Sequence, residues 1–524
     1  MKLKSFPGWL PIIALAVTLV LSETVYLMLL QLDAVNGWEP VLTFWAEMAA
    51  LFALYGAAAF LVNRYQSIKK QALWVIIFGA VLFRLTLLPA GLPHDLTASE
   101  KFEALKADLA GTEVAYDRFQ LFDNDIWRYI WDGHVSAHGI NPYSYAPNDE
   151  RLDVLSVASD EFNSENDSQA EDGEGNSLED PKPVVPTISE SENGSTDGIE
   201  AWDDIRDNVN HSDVKTIYPP FAQAVFLLSH AIAPGSLLMM KFVLVLFELI
   251  GIFFIMLTLR RLDLPVTSVI LYAWNPLMIK VIAGSGHADA VLMSALCVMA
   301  YFIVRGSRSL AAGAFGLAIL AKLSPVILLP FVFRRIGWAR SLIIAAVVLI
   351  GYLPFSGAGQ DLISGFLKFA REWQFNAGVF ALIRWFASGF VDDSAGLARI
   401  ICGGLILVVV SVLVWRDDLS EKAFVRSAAI AIGANIVLSP TVMPWYLSWV
   451  LPFAVLARQY VWIYFSALVL AAFHVLIYVE EYAAVLWLEH GLFFSIVLMH
   501  LLLFRLDEKP AKQVLEFDLA QVEK

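Results

Sequence analysis

The sequence predicts an all-α polytopic integral membrane protein, and three observations carry that prediction. Apolar runs of roughly 20 residues, the length needed to cross a bilayer as a helix, recur along almost the whole chain. Of the 524 residues, 58% are hydrophobic and 17% charged, too few charges to cover a soluble surface. Lys and Arg fall at alternate ends of successive runs, as they do where each helix re-crosses the membrane. Counting the runs gives about 12 to 14 spanning helices, and no period of about 20 to 50 residues repeats along the chain.

Charge is distributed unevenly. The formal net charge is −15, but residues 151–213 alone carry 18 acids against three bases, and the rest is close to neutral. An acidic balance confined to one loop, with no basic stripe, excludes nucleic acid as an expected partner. Cys297 and Cys402 lie far apart in apolar runs and suggest neither a disulfide framework nor a metal cluster.

The first run, from Trp9 to about Gln31, follows Lys2 and Lys4 and is too long for a signal-peptide core, so it is expected to be a retained span entering from the cytoplasm. A second run, Val41 to Val62, ends in Arg64, Lys69 and Lys70, and a third, Leu73 to Leu88, leads to Pro93-His94-Asp95. The positive-inside rule then puts residues 91–218 outside. The resulting organisation is three spans in 1–90, an outer loop in 91–218, the remaining bundle with outer loops in 219–505, and a cytoplasmic tail in 506–524.

Within the outer loop, Phe122 to Tyr145 packs acids, a base and aromatics at close spacing. At about 100° per residue, 122–139 is an amphipathic helix with Asp125, Arg128, Tyr129, Asp132 and Ser136 on one face and Ile126, Trp127, Ile130 and Trp131 on the rest. Such a helix is expected at the membrane surface, its tryptophans among headgroups and its carboxylates toward a cleft. Gly139 stops it and Asn141-Pro142 turns the chain. Residues 150–213, rich in Asp, Glu, Ser, Asn and Gly, are expected to be disordered, a tolerated insertion.

Beyond Tyr218-Pro219-Pro220, Phe221 to Ile232 is too short to span, and Leu237 to Leu259 spans to Arg260 and Arg261. The next apolar region breaks at Gly284-Ser285-Gly286-His287-Ala288-Asp289, where polar groups at membrane depth call for a polar cavity. Leu310 to Phe333 has basic flanks on both sides, so it is expected to dip in and return as two short helices with Lys322 at the turn. Arg371 to Asn376 reads as an interfacial helix, and Ser439 to Tyr446 as an outer turn carrying Trp445 and Tyr446. All these irregular segments fall on one side of the bilayer.

Asp123-Asn-Asp125-Ile-Trp-Arg-Tyr-Ile-Trp-Asp132-Gly, followed by Gly139-Ile-Asn-Pro-Tyr, resembles the first outer loop of bacterial mannosyltransferase-like proteins of the GT-C glycosyltransferase superfamily. Tyr218-Pro-Pro and Pro444-Trp-Tyr resemble two further blocks of that family. Members carry two adjacent acids before the aromatic run; Asn124 departs from this, with Asp123 shifted one place. The resemblance covers most of residues 70–460. It implies a GT-C-like bundle with interfacial helices in the outer loops, a polyprenyl-phosphate sugar as donor, an envelope glycan or glycolipid as acceptor, and a bacterial cytoplasmic membrane with the site facing the periplasm.

Transfer from such a donor needs a carboxylate to take the acceptor's proton and cationic groups to hold the departing phosphate. The resemblance puts the catalytic acid at Asp125. Asp132 would orient the acceptor or bind a divalent ion. Arg128 and Lys322 are candidates for the phosphate, although Arg128 is equally placed to pair with Asp125 or Asp132, and Lys322 to snorkel. Tyr129, Tyr218, His287, Asp289, Arg371, Trp445 and Tyr446 complete the expected substrate site. Asp123 and Asp125, as Asp-x-Asp, leave Mg or Mn open as a metal. A single base without a second carboxylate nucleophile suits inversion at the sugar. The rival reading is a transporter or lipid flippase, whose signature also includes broken helices and charges at membrane depth.

Overall fold

A backbone in lipid must satisfy its own N–H and C=O groups, so long apolar runs become helices. The computed structural model describes residues 9–32, 38–65, 69–92, 96–110, 125–156, 197–477 and 482–499. Among these residues the regular structure is helical apart from one isolated bridge between Phe375 and Thr441. The chain is an all-α multi-pass membrane protein.

Three long helices come first: α1 (Leu10–Leu29), α2 (Trp38–Arg64) and α3 (Lys69–Leu87). Two short ones follow, α4 (Ala98–Ala110) and α5 (Asp125–Ala137), then α6 (Asp197–Asp207), α7 (Pro220–Ile232) and the long α8 (Leu237–Arg261). Pro265 and Pro276 divide the next stretch into two pieces, Val266–Ala273 and Pro276–Gly284, bent by 58°. At the centre lies α9 (Asp289–Arg305), buried almost all round against α8 and α10 (Arg308–Ala321). The chain continues through α11 (Leu329–Ile336), α12 (Trp338–Tyr352), α13 (Ser364–Glu372), α14 (Gly378–Ala387), α15 (Ser394–Trp415) and α16 (Glu421–Val437). It closes with α17 (Leu447–Ala457), α18 (Val461–Leu468), α19 (Ala471–Ile477) and α20 (Tyr482–Met499).

Among the described residues seven helices are long and apolar enough to cross a membrane, or eight if the bent pair is one span. The remaining runs counted in the sequence form shorter apolar helices, because prolines, glycines and Lys322 divide them. Across Leu310 to Phe333, where two short helices were expected with Lys322 at the turn, the chain forms α10, an extended Lys322 (φ −163, ψ 149), a 3-10 turn over Ser324–Leu328, and α11.

Two expectations are corrected. Disorder over 150–213 does not hold at either end of that stretch: Glu150–Leu155 forms a 3-10 turn and Asp197–Asp207 is helical. That helix, α6, stacks Trp202 on His134 of α5, ring centroids 3.5 Å apart. The expectation for 157–196 lies outside the described residues. Helix α5, in turn, packs Trp131 inside the protein rather than among headgroups. Trp131 is 1% exposed, with the Arg206 guanidinium 5.6 Å above its ring, and α5 packs on α6, α7 and α8.

A buried ion pair fastens the bundle below the loops. Arg84 of α3 grips Glu248 of α8 through two contacts, Nε–Oε2 at 2.6 Å and Nη2–Oε1 at 2.7 Å. Its remaining nitrogen donates to the carbonyls of Ala80 and Ala273 at 2.8 Å. Both side chains are fully enclosed, and every guanidinium donor pointing inward has an acceptor, which makes the pair tolerable in an apolar interior.

Candidate functional site

The ends of many helices converge on one cavity of about 1460 Å³. It is walled by the end of α3, the first turn of α5, the chain from Trp202 to Tyr218, the start of α8, the Gly284–Asp289 turn, Lys322 and the start of α17. Segments hundreds of residues apart supply it, so the loops that the sequence marks as irregular form a single concave surface.

Asp125 is the first residue of α5, and its side chain, 29% exposed, opens into the cavity. Its Oδ2 lies 3.9 Å from Nδ1 of His287, beyond hydrogen-bond length. His287 has no exposed surface and stacks on Trp445 at 3.8 Å with the planes 19° apart. A π-helical turn over Lys280–Gly284 and a bond from the His287 N–H to the Val281 carbonyl set this ring in place. Gly286 adopts φ +73, and a Cβ there would sit 2.4 Å from Ile126 Cδ1. Only glycine lets this turn approach the first turn of α5 so closely.

Beside this pair, Asp289 is 4% exposed and its Oδ1 accepts from Lys322 Nζ at 2.9 Å and Trp449 Nε1 at 2.6 Å. The Lys322 ammonium also lies over Tyr446 and Trp449, at 4.7 and 4.8 Å, rings that stack on each other at 4.2 Å. The ammonium is thus fixed by a carboxylate and two ring faces while keeping a side chain 26% exposed. Tyr218 lines the cavity and packs edge-on to Tyr129 at 5.0 Å. Burial, and then the Asp125 charge, hold the Tyr218 phenol well above its usual pKa, so it stays a proton-bearing donor.

Asp132 takes a different place from the one expected. It is 2% exposed, and its oxygens accept from Arg128 Nε (2.8 Å), Thr216 Oγ1 (2.6 Å) and Gln223 Nε2 (2.8 Å). These bonds hold the 216–223 block against α5, and Asp132 is not among the residues that line the cavity. Arg128 reaches the cavity, donating Nη1 to the Val214 carbonyl at 2.9 Å, while its Nη2 is buried without a partner.

Of the expected residues, Asp125, Arg128, Tyr218, Asp289, Lys322, Trp445 and Tyr446 line the cavity. His287 and Tyr129 stand directly behind that wall. Arg371 is exposed and off the wall, its carbonyl accepting from Arg399. Asp123 lies outside the described residues. Among the described residues no group of three or more His, Cys, Asp or Glu is placed to hold a metal ion. Sequence reading missed Trp449, whose i+3 spacing from Tyr446 was the available signal. It also missed Lys241 and the chain around Trp202, and it marked the segments that hold Ser285 and Thr441 without singling out those residues, all of them on the wall.

The alpha-(1→6)-mannopyranosyltransferase N-terminal domain matches residues 200–339, and the MptB C-terminal domain matches residues 377–504. Together they cover just over half of the chain. The chain belongs to the alpha-(1→6)-mannopyranosyltransferase family. This makes it a membrane mannosyltransferase and sets aside the transporter reading. The first block of the mannosyltransferase match carries Tyr218, His287, Asp289 and Lys322, and the second carries Trp445 and Trp449; Asp125 precedes both. The match begins inside α6, so the chain around Trp202 is part of the family's body. No curated protein and no solved structure matches the chain.

Proposed function

We propose that this mannosyltransferase moves mannose from a polyprenyl-phosphate donor to the 6-hydroxyl of a glycan or glycolipid acceptor on the extracytoplasmic side, with inversion and with Asp125 as general base. The acceptor oxygen attacks C1 of the mannosyl group as the C1–O bond to phosphate breaks. The phosphate leaves with the electron pair, and the hydroxyl proton passes to Asp125.

The observation that carries this reading is the Asp125 carboxylate opening into the cavity within the same wall as Lys322 and Arg128. Asp289 and Asp132 are enclosed by ammonium, indole, guanidinium, hydroxyl and amide donors, whereas the Asp125 side chain keeps 29% of its surface exposed beside Lys322 and Arg128 on the cavity wall. The unpartnered Arg128 Nη2 and the exposed part of Lys322 supply positive charge for the leaving phosphate. Ile327, Phe366, Phe369, Gly403, Ile406 and Leu438 also line the cavity, and this apolar lining suits a polyprenyl chain.

The test is Asp125→Asn, assayed for mannose transfer from a synthetic polyprenyl-phosphate mannose. Loss of a positioned base is expected to lower kcat by about 10²–10⁴-fold with donor binding retained. Undiminished transfer would remove Asp125 from the chemistry.

A further inference from the structure

The cavity has two chemically different walls, and the second is not explained by a lipid phosphate. Asp204 and Asp207 of α6, with Asn208 and His211 of the chain that follows it, also line the cavity, and Trp373 completes this polar wall from the end of α13, where it adjoins Phe369 of the apolar lining. We infer that this wall is the subsite for the acceptor, a neutral oligosaccharide. The proposal deepens the transferase reading by assigning the second substrate a place.

Two ion pairs and a ring contact build the wall as one piece. Lys368 holds Asp213 at 2.6 Å, Lys215 holds Asp361 at 2.8 Å, and His211 packs edge-on to Trp373 at 4.7 Å. Gly365 sits directly under the backbone of Lys215, where a Cβ would meet the Lys215 carbonyl at 2.2 Å. The chain 211–216 is therefore clamped to α13. The base on this chain that reaches the cavity, Lys215, is already paired with Asp361.

The chemistry of the wall selects its occupant. Asp204 and Asp207 repel a phosphate, whereas sugar hydroxyls donate to carboxylates and exchange bonds with the Asn208 amide. A Trp face offers an apolar surface of the kind that a pyranose C–H face covers. An independent observation points to a ligand at the same place. Thr441, 2% exposed and on the cavity wall, has a buried hydroxyl without a partner. Its turn is joined to the segment following Trp373 by the bonds Phe375 N–H to Pro440 O (3.0 Å) and Val442 N–H to Phe375 O (2.8 Å). An incoming hydroxyl would give the Thr441 oxygen the partner it lacks.

The experiment is direct binding of α-(1→6)-linked mannotriose, and separately of decaprenyl phosphate, to the purified full-length protein by calorimetry. Trp373→Ala and Asp207→Asn are each expected to weaken mannotriose about tenfold, near 1.4 kcal/mol, with decaprenyl phosphate affinity unchanged. The second ligand reports that the variants are folded, and Trp373→Tyr is expected to restore most of the affinity. Absence of mannotriose binding to the parent protein, affinity unmoved in both variants, or parallel loss of decaprenyl phosphate would each overturn the assignment. These readouts do not depend on Asp125, so they fail or succeed separately from the transfer assay above.

Discussion

Asp125 and Asp132 stand two helical turns apart on one face of α5 and have opposite fates. The spacing that makes both visible in the sequence cannot separate them, because the partners that enclose Asp132 come from Thr216 and Gln223, 84 and 91 residues downstream. The separation has a measurable consequence. Asp132→Ala leaves Arg128 buried and unpaired, and is expected to cost about 3–5 kcal/mol, seen as a large fall in Tm. Asp125→Asn is expected to leave Tm nearly unchanged. Histidines add a pH effect at the same scale. Burial, then His138 and His230, push His134 down to about 2, and burial, then His138, pushes His230 down to about 4. Both fall below the histidine value of an unfolded chain, so the unfolded state binds more protons. Stability is therefore full above pH about 6.5 and declines below it, by up to about 1.4 kcal/mol per pH unit for each group. Thermal unfolding followed from pH 7 to pH 5 is expected to show Tm falling, and His230→Gln to flatten the fall. A Tm independent of pH over that window would contradict the burial of these rings.

At the level of elements, the long spans were legible from apolar length, and the breaks at 284–289 and 322–325 from polar residues that lipid does not tolerate. The division into two short helices, α10 and α11, around Lys322 followed from the basic flanks and the polar break of one apolar run. What could not be read was which element each break meets. The approach of the 284–289 turn to α5 depends on Gly286, and the sequence offers a glycine there without saying which side chain would collide. Gly286→Ala combines an unfavourable positive φ with a contact on Ile126. It is expected to displace the His287 ring from Asp125 and to lower kcat at least about tenfold, alongside a stability loss of roughly 1–3 kcal/mol. Parallel assays of transfer and of Tm check both parts. Composition also misled at α6: acid-rich chain normally stays unfolded, but Trp202 and Ile205 supply enough apolar surface to dock it, Ile205 being 7% exposed.

Across the whole molecule, the cavity draws its walls from both matched blocks and from the loop before them, so its existence was implied by polar breaks falling on one side but its two contrasting walls were not. Gly403 on α15 faces the apolar side with open space where a side chain would extend. Gly403→Phe is expected to obstruct the lipid chain and raise the donor KM about tenfold, corresponding to roughly 1.4 kcal/mol, while the acceptor KM stays constant. Equal shifts for both substrates would mean that the two walls do not divide the substrates. The Arg84–Glu248 clasp has a consequence for biogenesis. Arg84 lies in the last turn of α3 and Glu248 mid-way along α8, and a lone charge at mid-helix resists partition into lipid by about 2.5–3.5 kcal/mol. The helix bearing Arg84 leaves the ribosome long before the one bearing Glu248 has been synthesised. The mid-helix carboxylate of α8 therefore meets a guanidinium already in place, and the two are buried as a neutral couple.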